Sequence, residues 1–287
     1  FSMLEIEDEP TEYPIIVDNT NEKSDHEINL NALLVAKKNW PYATISDYHQ
    51  AYLNKTTTPS EIAEKIMSIC ESEKVKATNA IIEIRKEELF KAAEESTKRY
   101  EEGKTLSVVD GVPFFVKEHI SIENYTTYYG CSGLNELSTK TAFCIRKLLD
   151  KGAILLGTTT MPQIGSNPIG FNPSPVFPSP RNPWNTNRYT GGSSSGNGVV
   201  VGMGLCPFAI GSDALGSIRV PSGFCGIVGL RSTFSRVSNK GTTSSDKSAF
   251  LVIGPMACCV GDAAVVHAII SGPDEEFSLG INQPCHF

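Results

Sequence analysis

Stretches with helical periodicity alternate along this 287-residue chain with short apolar runs that have the length of strands. Residues 80–84, 114–118 and 153–156 predict strands because they are short, apolar and rich in branched or aromatic side chains. Residues 86–102 and 142–151 predict amphipathic helices, and a glycine follows each of them. Helices that separate short buried strands are typical of layered folds, so the alternation predicts the α/β class.

A clear helix start stands at residue 58. Thr58 suits the N-cap, Pro59 the first helical position and Glu61 the third, which is the pattern of a capping box. We expect the apolar face of this helix to contain Ile62, Ile66 and Ile69.

The segment before this helix has a different character. Residues 1–57 begin with a run of acidic side chains and show no sustained period, which predicts a solvated tail or a short wrapping segment. The folded domain is therefore predicted to span residues 58–287. The acidic run contains Glu5, Glu7, Asp8, Glu9 and Glu12.

The overall charge and composition exclude some classes of partner. A net charge of −7 disfavours nucleic acid, and no apolar run reaches the roughly 20 residues that a membrane span needs. The eight cysteines form no C-x-x-C pair, and several lie in apolar surroundings. We interpret most of them as buried reduced thiols, which favours a reducing compartment such as the cytoplasm, with peripheral membrane association left open.

Two loops rich in serine and glycine carry the strongest functional signal. The first is residues 190–196 (Thr-Gly-Gly-Ser-Ser-Ser-Gly), and the second is residues 211–219 (Gly-Ser-Asp-Ala-Leu-Gly-Ser-Ile-Arg). Ser193 and Ser217 are 24 positions apart, and each follows a glycine that lets other groups approach the backbone. With Lys117 in an apolar stretch upstream, these hydroxyls and amides suit a serine hydrolase that uses no histidine.

Other interpretations of the same residues fit less well. Ser194 formally occupies the third position of G-x-S-x-G, but no apolar strand precedes it, and only His267 or His286 could follow as a partner. Lys117 alone could equally lie on a solvent face, whereas burial would lower the pKa of its amine and make it a base. The five histidines share no metal spacing, and His119 and His267 are interpreted as core residues with partners. No metal or organic cofactor is implied.

Matched blocks in one order, covering about residues 58–274, resemble the amidase signature family of serine hydrolases, which includes the fatty-acid amide hydrolases. The resemblance implies a mixed central β-sheet covered by helices. It also implies that a C-terminal part of that fold lies outside this chain. The matching blocks are residues 110–118, 152–161, 181–185, 191–196, 211–226, 228–233, 254–256 and 262–264.

The resemblance implies a role for each matching residue. Ser217 would be the nucleophile, Lys117 the general base, and Ser193, which would follow a cis peptide bond, the proton relay between them. The oxyanion hole would consist of the amides of Ala214, Leu215, Gly216 and Ser217. The residues expected to support these groups are Ser194, Asp213 and Arg219, with Met161 in the wall of the pocket.

Two local departures from the family pattern stand out. Leu215 occupies a position where a glycine is usual, and a leucine would be strained there if that position required a positive φ. The segment that follows the first serine loop, residues 199–204, is richer in valine and glycine than a typical helix.

The predicted function is hydrolysis of a carboxylic amide, for instance a fatty-acid amide, through an acyl-enzyme. One alternative is an amidotransferase subunit that releases ammonia from glutamine for a partner enzyme. Another is a catalytically impaired relative, which Leu215 and the chain length suggest. The expected partner is a small-molecule amide, and a homodimer is left open.

Overall fold

The structure, a computed structural model, describes residues 29–34, 42–242 and 250–274. The predicted acidic run, Cys285 and His286 lie outside these residues. The α-helices of the described part are α1 (Ile45–Leu53), α2 (Pro59–Cys70), α3 (Glu73–Lys76), α4 (Lys86–Glu101), α5 (Phe143–Asp150), α6 (Ser195–Gly202), α7 (Arg219–Cys225) and α8 (Val260–Ile270). The strands are β1 (Ile81–Glu83), β2 (Pro113–Lys117), β3 (Thr126–Thr127), β4 (Glu136–Leu137), β5 (Ile154–Thr159), β6 (Phe208–Asp213), β7 (Val228–Gly229) and β8 (Val252–Ala257). Short 3₁₀ helices span Leu30–Leu33 and Gln163–Gly165.

Six of the strands form one mixed sheet in the order β1-β5-β2-β6-β8-β7, and β3 pairs with β4 separately. Strand β2 runs parallel to both of its neighbours, β5 and β6. Strands β1, β8 and β7 are joined to the sheet by antiparallel pairs. The α/β class and the mixed central sheet are therefore confirmed, as are the three strands predicted around residues 80–84, 114–118 and 153–156.

The central strands are buried on both faces because helices cover both sides of the sheet. Successive residues of β2 point to opposite faces, so Phe114 and Val116 join one core cluster while Phe115 joins the other. The first cluster includes buried residues of α5 and α8, and the second includes buried residues of α2, α4 and α6. Strand β2 thus carries its C-terminal residue, Lys117, into the interior of the protein.

Helix α2 begins as the sequence predicts, but its buried face differs. Thr58 and Glu61 form the expected capping box, and Pro59 is the first helical residue. Ile66 is buried, whereas Ile69 is 49% exposed. The prediction for Ile69 was wrong because the inner face uses smaller or more flexible residues that the isoleucine spacing did not reveal, namely Ala63, Met67 and Cys70.

Helix α1 was not predicted, and it lies inside the segment interpreted as a tail or wrapping segment. Thr44 and Asp47 form a capping box at its start. Ile45 is fully buried, and its amide donates to Asp262 Oδ2 at 3.1 Å. Tyr52 donates to the carbonyl of Gly111 at 3.1 Å. The polar sequence around residue 45 hid the helix, because its attachment depends on these few distant contacts rather than on a long apolar period.

Helix α6 forms although its sequence, rich in valine and glycine, has low intrinsic helicity. All eight of its residues are buried, and Val199, Val200 and Val201 belong to the second core cluster. Tertiary packing therefore outweighs intrinsic propensity here. The helix begins at Ser195, which fixes the orientation of the serine loop that immediately precedes it.

Burial of the cysteines agrees with the sequence interpretation for most of those described. Cys70, Cys144, Cys206, Cys225 and Cys258 are buried, and Cys131 and Cys259 are partly exposed. Among the described helices, none combines the length and the apolar character needed to cross a membrane.

Candidate active site

Lys117 is buried at the C-terminal end of β2, with a relative exposure of 1%. Its position between β5 and β6 excludes the alternative in which it lies on a solvent face. The amine nitrogen Nζ lies 2.7 Å from Ser193 Oγ and 3.1 Å from Ser212 Oγ. The fold therefore joins the lysine of one strand to a serine of each predicted loop region.

Burial changes the protonation of this amine. Removal from water lowers the pKa of Lys117 to about 7, and the nearby charges of Glu118 and Asp213 offset only part of that shift. Near neutral pH a large fraction of the side chain is then an uncharged amine with a lone pair. Such an amine can accept a proton from a hydroxyl at hydrogen-bond distance.

The first serine loop is held from several sides. The peptide bond between Gly192 and Ser193 is cis, as the family resemblance predicted. Ser195 Oγ donates to the carbonyl of Gly191 at 2.8 Å. A side chain at Gly192 would clash with the carbonyl of Asn167, since a Cβ there would lie 2.3 Å from that oxygen. These contacts leave the Ser193 hydroxyl directed toward Lys117.

Ser194 connects the two serine loops. Its side chain is fully buried, its hydroxyl donates to the carbonyl of Ser212 at 3.3 Å, and its amide donates to the carbonyl of Ser217 at 3.0 Å. This arrangement differs from the exposed nucleophile that a G-x-S-x-G turn would present. Ser194 instead fixes Ser217 relative to Ser193.

The second loop folds around the buried carboxylate of Asp213, the last residue of β6. The amide of Gly216 donates to Oδ1 at 2.7 Å, and the amide of Ile218 donates to Oδ2 at 3.2 Å. Arg219 donates from Nε and Nη2, each at 3.0 Å. Burial by itself would raise the pKa of Asp213, but these donors hold it below its usual value. Asp213 therefore stays charged and fixes the loop that carries Ser217.

The amides predicted to form an oxyanion hole are not equivalent. Gly216 already donates its N–H to Asp213, so the predicted set of four is reduced to three. Among the described residues, no acceptor is bound by the amides of Ala214, Leu215 or Ser217. These three remain available to a ligand.

Leu215 does not have the backbone strain that its sequence position suggested. Its φ is not in the positive region, whereas the neighbouring Gly216 has a φ of +126°. The side chain of Leu215 is 89% exposed. The position that requires glycine is therefore 216, and a glycine is present there.

These groups meet in a cavity of about 350 Å³. Met161 lies in its lining, and Ser217 is partly exposed to it. A larger cavity, of about 550 Å³ near Lys140 and Arg146, contains none of the predicted site residues. The lining of the 350 Å³ cavity is Lys117, His119, Tyr129, Leu134, Met161, Ile164, Gly165, Ser193, Ser212, Ala214, Ser217 and Leu251.

Sequence analysis did not identify Ser212 and His119 as part of the site. His119 is buried and has a partner, as expected, but that partner is Ser212 Oγ, 2.7 Å from His119 Nε2. Burial, together with Lys117, lowers the pKa of His119 well below its usual value, so its ring is neutral. A chain of contacts therefore runs from His119 through Ser212 to Lys117. The one feature of the sequence that could have pointed to His119 is its position, two residues after Lys117.

Glu118 positions a turn that contributes to the cavity lining. Its carboxylate accepts hydrogen bonds from the amides of Tyr128 and Gly130, each at 2.9 Å. Burial raises the pKa of Glu118 to about 7 in spite of these donors. The contacts place the turn at residues 128–130, and with it Tyr129, beside the cavity.

The contrast between Gly216 and Leu215 generates a prediction about stability. We expect Gly216→Ala to lower the free energy of unfolding by about 1–3 kcal/mol, because alanine is strained at a φ of +126° and its Cβ would lie 3.0 Å from Val220 Cγ2. Leu215→Ala is the matched control and should change it by less than about 0.5 kcal/mol. Urea denaturation measures both. An equal loss in the two variants would contradict this account of the loop.

Comparison with known proteins places the chain in a family. The profile of a family described as Amidase matches residues 64–280. The chain is 38% identical over 250 residues to a fatty acid amide hydrolase of Arabidopsis thaliana, covering 85% of this chain and 41% of that protein. It is 33% identical over 248 residues to a mitochondrial glutamyl-tRNA(Gln) amidotransferase subunit of Homo sapiens, covering 79% and 46% respectively.

The fold comparison agrees with this assignment. A native peptide amidase from Stenotrophomonas maltophilia superimposes with a TM-score of 0.77 at 26% identity, covering 84% of this chain and 50% of the peptide amidase. The chain thus spans about half the length, or less, of the relatives it matches. The extent of the family match and the shared fold lead to one conclusion: this chain belongs to the amidase signature family.

Proposed function

We propose that this chain forms the catalytic centre of an amidase in which Ser217 is the nucleophile, Ser193 the proton relay and Lys117 the general base. The observation that carries the proposal is the buried amine of Lys117, 2.7 Å from Ser193 Oγ, in the same cavity as Ser217. Its pKa near 7 makes it a base at neutral pH. The two serines lie in loops that Ser194 holds together.

In the first half of the reaction, Ser217 Oγ attacks the carbonyl carbon of the amide. Its proton passes to Ser193 Oγ, and the proton of Ser193 passes to the neutral amine of Lys117. The negative charge that develops on the carbonyl oxygen is stabilised by the free amides of Ala214, Leu215 and Ser217. When the C–N bond breaks, the proton returns through Ser193 to the leaving nitrogen.

In the second half, water attacks the acyl-enzyme and uses the same proton path. The products are the carboxylic acid and the regenerated Ser217 hydroxyl. The hydrogen bonds of Ser212 support the proton transfer from Ser193 to Lys117 in both halves of the reaction. Ser212 accepts an N–H from Lys117 and can donate its own hydroxyl to the neutral ring of His119, which leaves the lone pair of Lys117 for Ser193.

The lining of the cavity favours an apolar acyl group as substrate. Leu134, Met161, Ile164 and Leu251 contribute aliphatic surface, and no carboxylate is among the described residues that line the cavity. A glutamine substrate carries an ammonium group, which a site would normally bind through a carboxylate. The relative named fatty acid amide hydrolase agrees with this preference, while the amidotransferase relative keeps glutamine as the second candidate.

A labelling experiment tests the nucleophile. A fluorophosphonate probe should attach to Ser217, and both Ser217→Ala and Lys117→Met should lower the labelling rate at least about 10³-fold, because each removes a member of the triad. Ser222→Ala is the matched control, since its buried hydroxyl has no hydrogen-bond partner among the described residues and lies outside the cavity lining. Labelling mapped by mass spectrometry to a different serine would refute the assignment.

The pKa of Lys117 predicts the pH dependence. Because only the neutral amine accepts a proton, the labelling rate should rise as the pH increases through about 7 and level off above it. The rate below the midpoint should fall about tenfold per pH unit. A rate that is flat across this range, in protein that circular dichroism shows to be folded, would exclude Lys117 as the base.

A substrate comparison separates the two candidate reactions. We expect kcat/KM for a long-chain primary fatty amide to exceed that for glutamine by at least about 10²-fold. Aliphatic groups line the site, and none of the lining residues that the structure describes offers a carboxylate to the ammonium. Ammonia release measures both reactions with one assay. Faster ammonia release from glutamine would favour the amidotransferase activity. If a preparation that reacts with the fluorophosphonate probe releases ammonia from neither compound, both substrates are rejected.

A further inference from the structure

A second cluster of reactive side chains lies where β8 meets α8. Cys258 and Cys259 follow the last residue of the strand, and Asp262 lies in the first turn of the helix. One potential ligand atom from each residue lies within 4.8 Å of the other two. Among the described residues, this is the one group of three or more such side chains that converge in this way.

The cluster is separate from the proposed active site. Strand β8 pairs with β6 in an antiparallel register in which Ala257 faces Phe208 and Val252 faces Asp213. The second serine loop continues from Asp213 and therefore lies at the other end of this strand pair. The first loop lies at the same end, because Ser193 contacts Lys117 at the C-terminal end of β2, which is parallel to β6. The five residue-to-residue steps from Val252 to Ala257 separate the two ends by about 17 Å. A ligand at the cysteines would not touch the residues that line the cavity.

Asp262 is a buried acid that has no cationic partner among the described residues. Its side chain is 2% exposed, and none of the described lysines or arginines forms an ion pair with it. Its carboxylate accepts the amide of Ile45 at 3.1 Å and faces Cys258 Sγ at 3.3 Å. Its ionised form would be costly without a cation, and burial accordingly raises the pKa of Asp262 to about 8. A cation bound at this position would stabilise the ionised carboxylate, which forms when Asp262 releases its proton to the solvent.

The distance between Cys258 Sγ and Asp262 Oδ2 suits a metal ion with tetrahedral coordination. Bonds of about 2.3 Å to sulfur and about 2.1 Å to oxygen would place a sulfur and an oxygen ligand roughly 3.6 Å apart. The observed 3.3 Å between Cys258 Sγ and Asp262 Oδ2 requires only a small adjustment. Cys259 is partly exposed, so water can reach the fourth position.

We propose that Cys258, Cys259 and Asp262 form a Zn²⁺ site, with two sulfur ligands, one carboxylate oxygen and a water. Two thiolates with one carboxylate favour zinc over magnesium or calcium, which prefer sites made of oxygen. Each thiol that binds as thiolate releases its proton to the solvent. Because Asp262 also accepts the amide of Ile45, the ion would strengthen the attachment of α1 to α8.

Calorimetry on the whole, tag-free chain under reducing conditions tests the proposal. We expect one Zn²⁺ per chain, with a Kd below about 1 µM. Cys258→Ser, Cys259→Ser and Asp262→Asn should each weaken binding at least about tenfold. Cys259 is the N-cap of α8, and its sulfur accepts the amide of Asp262 at 3.4 Å. Cys259→Ser is therefore the most informative variant, because serine removes the thiol but can still cap the helix. Cys131→Ser, which removes another partly exposed thiol, is the matched control.

A second measurement needs no variant. Zn²⁺ should slow alkylation of Cys258 and Cys259 in the native chain, while Cys131 in the same molecule reacts at its original rate. Zinc binding that survives in folded Cys259→Ser, or equal protection of all three cysteines, would overturn the proposal, as would the absence of binding. None of these readouts depends on amide hydrolysis, so the site can fail or hold independently of the proposed function.

Discussion

The amine of Lys117, removed from water at the end of β2, is the constraint on which the site depends. A buried ammonium group would be costly, and burial accordingly lowers the pKa of Lys117 to about 7. The hydroxyls of Ser193 and Ser212 supply the hydrogen bonds that the amine lost when it left water. The same burial thus limits the cost to the fold and produces the base that the proposed reaction uses.

Asp213 shows the opposite solution to the burial of a charge. Its carboxylate stays ionised because Arg219 and several backbone amides donate to it. In return, it fixes the loop in which Ser217 lies and uses the amide of Gly216. A loop built around one carboxylate keeps its three remaining amides free without rearrangement, which is the condition for stabilising an oxyanion.

The sequence predicted the features that depend on local pattern. The strands around Lys117 and the capping box at Thr58 were confirmed. The cis bond before Ser193 was also confirmed, but the family resemblance, not a local pattern, predicted it. Helix α1 and the contact between His119 and Ser212 were missed, because each depends on residues far apart in the chain. The concern about Leu215 arose for a related reason: a motif shows which residue type is usual at a position, but it does not show which of two neighbours has the positive φ.

The direction of the strands explains how serines and cysteines share one sheet without interfering. Strands β2 and β6 are parallel, so Lys117 and Asp213 reach the same edge at their C-terminal ends. Strand β8 is antiparallel to β6, so Cys258 and Cys259 emerge at the opposite edge. Thiolates placed beside Lys117 would stabilise its ammonium form through their negative charge and so raise its pKa. Their separation by the length of β8 lets the two clusters keep independent protonation states, which a base with a pKa near 7 requires.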